Sequence, residues 1–117
     1  MATKESETII SYVAQAAIAQ FAMVVPVAAT DRGVTTAGVG ANPLGVCQNK
    51  PAALGHAASI AVDGVTRVRA GAVVATGAPV GSDSTGRAIT VAAGPLAIGF
   101  AITPATAADQ IIEVQLH

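Results

Sequence analysis

The chain carries very little with which to do chemistry. One cysteine, Cys47, and two histidines, His56 and His117, are spread over 117 residues, and tryptophan is absent. A single cysteine excludes an intramolecular disulfide and suits a reducing compartment. Charged residues are 11% of the chain, against roughly 25% in typical soluble domains. Lys4, Arg32, Lys50, Arg67, Arg69 and Arg87 are scattered and offset by seven acids, leaving a net charge of -1. Binding to a phosphate backbone needs a concentrated basic face, so no nucleic-acid partner is expected. Residues 8–30 hold no charge, yet no membrane span is expected there. Ser11, Gln15 and Gln20 interrupt the run and Pro26 would kink it. Glu5 and Glu7 spoil the basic leader that a signal peptide needs.

Small apolar residues fill the space that charge leaves. Hydrophobic residues are 52% of the chain and aromatics 3%. Ala and Val dominate, so the core must be thin. A surface this poor in charge does little to hold copies apart, and part of it is expected to face another chain. The length allows one domain.

Glycine and proline break the chain every few residues from Gly33 to Gly64. No ordinary helix fits between such breaks. Short runs rich in Val, Ile and Thr lie between them: 22–27, 34–37, 44–48, 59–62, 65–69, 73–76, 88–91, 97–103 and 110–116. This pattern predicts an all-β fold, a small β-barrel or β-sandwich. Residues 13–19 read as a weak strand or turn. Asp63-Gly64 reads as a two-residue hairpin turn, and Val80–Thr90 as a second hairpin. The polar stretch "TKESETIIS" could start a short helix or form an extended N-terminal arm. We take residues 1–12 as an arm and 13–117 as one β domain.

The two halves of that domain resemble each other. Pro26-Val27 matches Pro79-Val80, "TDRGVTTAG" matches "TGRAITVAA", and Leu44-Gly45-Val46 matches Ile98-Gly99-Phe100. Pro51-Ala52 matches Pro104-Ala105, and Ile60-Ala61-Val62 matches Ile112-Glu113-Val114. These echoes predict pseudo-repeats over about 22–64 and 75–117, paired as halves of one closed or nearly closed β structure. Gly45 and Gly99 interrupt a strand, which indicates a bulge or a close backbone approach. Gly71, Gly77 and Gly86 read as structural turns. Arg32 and Arg87 fall at matched places after a turn and are expected to fix Asp31, Asp83 or nearby carbonyls.

The run from Val65 to His117 resembles small capsid cement, or decoration, proteins of tailed bacteriophages. The resemblance rests on Val68, Ala70, Gly71, Val74, Gly77, Pro79, Val80, Asp83, Gly86, Arg87, Ala88, Ile98, Gly99, Ala101, Asp109, Ile111 and Val114. "PLGVCQN" and "AAIAQFAMVV" fit as well, so it extends over residues 13–117. Ala108 stands where the family often has a turn glycine, which puts that turn type in doubt. The resemblance implies a virion protein on the outer surface of a phage head. Its partners would be the major capsid protein and copies of itself, as a homotrimer. It implies no cofactor and no catalysis.

Thr3, Lys4, Glu5, Glu7, Ile9 and Ile10 of the arm are candidates for contact with the capsid or a neighbouring subunit. Arg67 and Arg69 are further candidates, because on a strand they share one face with Val65. Other readings are weaker. His56 and His117 have no metal-ligand partner at binding spacing. Cys47 lies in an apolar strand and reads as a buried, inert thiol. Ser59, His56 and Asp63 can be written as a catalytic triad, but no oxyanion or elbow pattern accompanies them. Lys50 lacks the Met-Lys-Met setting of a biotinyl or lipoyl carrier module. A fibre or spike subunit is the nearest alternative.

Overall fold

The computed structural model describes residues 8–28, 31–92 and 97–116. Among these residues are nine strands: β1 Thr8–Ala14, β2 Met23–Pro26, β3 Gly33–Thr36, β4 Gly45–Cys47, β5 Ala57–Arg69, β6 Pro79–Ser82, β7 Ala88–Thr90, β8 Gly99–Ala101 and β9 Ile111–Leu116. No α-helix occurs among the described residues. The strands are hydrogen-bonded in the order β1-β3-β2-β4-β5-β9-β8-β6-β7, and β5 pairs back onto β1. That last pairing closes β1-β3-β2-β4-β5 into a five-stranded barrel, so the all-β barrel reading holds.

Asp63-Gly64 is not a hairpin turn. β5 runs through it for 13 residues. Residues up to Asp63 pair with β1 and β4, and residues from Gly64 on pair with β9. Gly64 has φ +90°, which only glycine adopts without strain. Here that freedom turns a corner between two sheets instead of reversing the chain. The Val80–Thr90 hairpin is present, with Val80 opposite Thr90 and Ser82 opposite Ala88. The expected strand at 73–76 reduces to one isolated bridge, Val74 to Ala105.

The arm boundary also moves. Residues 8–12 belong to β1, which pairs antiparallel with β5 from Thr8 opposite Asp63 to Val13 opposite Ala57. Apolar alternation in "IISYVA" gives this stretch an inner face, and burial draws it into the barrel. The expected arm residues Thr3, Lys4, Glu5 and Glu7 lie outside the described residues, as does His117.

The duplication extends further than the sequence echoes suggest. β3-β2-β4-β5 in the first half and β7-β6-β8-β9 in the second are paired in the same order. The second part of β5 does for the second half what β1 does for the first. Val13 pairs with Ala57 as Arg69 pairs with Ile111. Ala14 lies parallel to Val34 as Ala70 does to Ala88. The backbone bonds repeat as well. Leu44 N donates to Val24 O and Ile98 N to Val80 O, both at 2.8 Å. Phe21 N donates to Cys47 O and Gly77 N to Ala101 O, both at 2.7 Å. The repeat therefore spans residues 8–63 and 64–116. The pairings align Val24 with Val80, Val34 with Ala88, Gly45 with Gly99 and Ile60 with Val114.

The core follows the same rule. Ala14, Ile18, Ala22, Val24, Val34, Cys47, Ala58 and Ile60 form the first half's cluster. Their equivalents Ala70, Val74, Ala78, Val80, Ala88, Ala101, Ile112 and Val114 all belong to, or pack against, the second cluster. Each fully buried Val or Ile contributes about 1.5–3 kcal/mol. Many small side chains supply the core here, where large aromatics are lacking.

Candidate interaction surface

Among the described residues, the groups that could do chemistry are not gathered. Ser59 lies opposite Ser11 and Asp63 opposite Thr8 on the same strand. At about 3.3 Å per residue they are about 13 Å apart along it. Among the described residues, no group of three His, Cys, Asp or Glu side chains could hold a metal ion. Cys47 is fully buried, its Sγ 3.2 Å from Asn49 O. Burial pushes its thiol up, more strongly than the contact with Asn49 lowers it. Lys50 is exposed beside Pro51.

Of the two arginines expected to brace turns, Arg87 does so and Arg32 reaches strand β1. Arg87 Nε lies 3.0 Å from Asp83 Oδ2, and its Nη1 lies 3.2 Å from Asp109 Oδ1. Asp83 also accepts the backbone N–H of Thr85 at 2.9 Å and of Arg87 at 2.8 Å. Burial alone would raise its carboxyl. These donors and the Arg87 charge outweigh that and hold it below the usual aspartate value. Arg32 instead donates to Ser11 O, at 2.7 Å from Nη2, and lies over the Tyr12 ring at 4.7 Å. The turn whose type was in doubt is made by Asp109, with φ +70°.

The five glycines expected at turns, bulges or close approaches divide into two kinds. Gly77 and Gly86 have positive φ. Gly45, Gly71 and Gly99 mark close approaches. A Cβ on Gly45 would fall on the carbonyl of Ala61, one on Gly99 on that of Gln115, and one on Gly71 on the Asp83 carboxylate.

What the fold does assemble is a broad outer face on the second half. Register sets Pro79, Phe100, Gln115 and Val65 in one row across β6, β8, β9 and β5. Arg67 lies opposite Glu113, and Arg69 opposite Ile111. Strand alternation puts all of these, with Ile102, on one side of the sheet. Phe100 is 43% exposed, Ile111 42% and Ile102 37%. Arg67 and Arg69 thus stand beside exposed apolar side chains. Arg67 is exposed, while Arg69 is half-buried with Nη1 3.4 Å from Asp109 O. Sequence spacing paired the two arginines but missed Phe100, Ile102 and Ile111, because alternation alone does not reveal which strands are neighbours. Ile9 is 49% exposed on the outer side of β1, and Ile10 is half-buried on its inner side. A cleft of about 410 Å³ opens at the joint between the halves, lined by Gln20, Phe21, Gln48, Val65, Thr66, Arg67 and Glu113.

No curated protein sequence is similar to the chain. The crystal structure of the head fibre gp8.5 N base of bacteriophage phi29 shares its fold, with TM-score 0.78 and 14% identity over 96% of this chain and 95% of that one. A family model described as phage cement protein matches residues 3–116. The match spans both halves of the repeat, and the chain belongs to the phage cement protein family.

Proposed function

We propose that this virion structural protein decorates the outer surface of a phage head and stabilises joints between major capsid subunits. The observation that carries the reading is the family match across both halves. The mixed apolar and arginine face of the second half supports it, as a surface suited to protein partners. Contacts would come from Thr3, Lys4, Glu5 and Glu7 of the N-terminal segment, from Ile9 and Ile10, and from Arg67 and Arg69. The protein acts as a homotrimer, by shape and buried area instead of chemistry. Each added contact in a multimer is effectively intramolecular, so overall grip greatly exceeds that of one site.

Purified protein added to heads lacking it tests the attachment. It should sediment with intact heads on a gradient and saturate at a fixed stoichiometry. Protein left at the top of the gradient contradicts the reading. A head-fibre role is the second reading, favoured by the shared fold with the phi29 fibre base.

A further inference from the structure

The internal repeat is complete in pairing and lining, but its two halves are not equally covered. Inner-facing residues at one end of the first barrel, Ile10, Tyr12, Leu44 and Val62, are all half-buried. Their equivalents in the second half are Thr66, Val68, Ile98 and Leu116. These are only 2%, 0%, 6% and 2% exposed.

The difference has a visible cause. Met23, Val46 and Ala61, on the outer face of the first half, join the second half's core and are 0% exposed. On that same face Gln48 Nε2 donates to Thr66 Oγ1 at 2.7 Å. The outer face of the first half therefore closes the open end of the second. Among the described residues the corresponding pieces stay more exposed: the open end of the first half, and the outer face of the second, where Phe100 is 43% and Ile102 37% exposed and Pro79 and Gln115 are half-buried.

We propose that these two surfaces meet between copies. The outer face of one copy's second half seats on the Ile10–Tyr12–Leu44–Val62 end of another, repeating head-to-tail the contact made inside each chain. Side-chain chemistry fits the exchange. The intra-chain polar pair Gln48 and Thr66 maps onto Ile102 and Ile10, so a part-buried polar pair becomes an apolar one. Burying apolar surface is the main force in such contacts. Two backbone bonds are not repeated. Arg69 N donates to Phe21 O at 3.1 Å, whereas its equivalent Val13 N already donates to Arg32 O in its own chain. Met23 N donates to Gly86 O at 2.8 Å, whereas its equivalent Pro79 has no N–H and the equivalent of Gly86 is Arg32. The joint between copies therefore rests on side-chain packing and is looser than the one within a chain. Because the two surfaces differ, the contact is heterologous, and copies joined this way form a ring if the rotation closes.

The inference rests on the self-association in the proposed function and is independent of capsid attachment. Ile10→Cys and Ile102→Cys are made separately in a Cys47→Ala background, mixed, and treated with a short bismaleimide linker. Tyr12→Cys with Phe100→Cys is the second pair, used if either first variant fails to fold by circular dichroism. Covalent dimers should form in the mixture and not from either variant alone. Linking of one variant to itself would show a two-fold contact and overturn the proposal. Oligomers by solution mass with no link in either mixture would overturn it and leave self-association standing. A monomer at all concentrations would remove both.

Discussion

A Cβ placed on Gly99 would fall on the carbonyl oxygen of Gln115, and the same collision recurs between Gly45 and Ala61 in the other half. Backbone cannot yield as a flexible side chain can. Gly99→Ala and Gly45→Ala should each destabilise the fold by about 1–3 kcal/mol, the range for overpacking. Gly38 has no atom within 4 Å of its Cβ position, so Gly38→Ala should stay within about 0.5 kcal/mol of wild type. Denaturant midpoints of the three variants check this. Equal effects at all three would contradict it.

The Asp83 carboxylate sets a pH dependence. Its folded value lies below its unfolded one, for which about 3.9 is typical. Its stabilising effect is therefore full above that value and is lost as pH falls through the lower folded value. Stability measured from pH 7 to pH 2 should fall less steeply in Asp83→Asn across this window. At pH 7, Asp83→Ala should cost about 1–3 kcal/mol, because it strips a partner from two backbone N–H groups and from Arg87.

Cys47 should be inert in the folded protein. Its thiol is buried and pushed up, so a thiol-specific reagent should react only after denaturation. Cys47→Ala should still fold, at a cost of about 1–2 kcal/mol, since Ala101 fills the equivalent place in the second barrel. Rapid labelling of native protein would contradict the burial.

Gly64 turns β5 from one sheet to the next with φ +90°. Gly64→Ala should cost about 1–2 kcal/mol, the penalty for a side chain in the left-handed region. The bond from Gln48 to Thr66 lies across that corner. A variant as stable as wild type would show that the corner can be turned another way.

The fold class was legible because strand periodicity and turn residues are local signals. Duplication was legible too, but its registers were not. Matching like letters put Arg32 with Arg87, whereas pairing puts Gly33 there: Val27 N donates to Gly33 O as Asp83 N does to Arg87 O. The β2–β3 connection is longer than its counterpart, and identical residues slid to fill the gap. Phe21 and Gly77 share a place and a positive φ, yet no sequence rule pairs them. Asp63-Gly64 has the letters of a hairpin, and only the partners on either side decide that the strand continues. The outer face around Phe100 needed strand neighbours separated by many residues, which local patterns do not encode.

Cementing a head, as opposed to merely projecting from it, has a direct readout in DNA retention. DNA release on heating should be followed in heads with and without bound protein, prepared from the same stock. Decorated heads should hold their DNA to a higher temperature, and the gain should be lost when the protein is stripped. Protein bound at full stoichiometry with no change in the release temperature would contradict it.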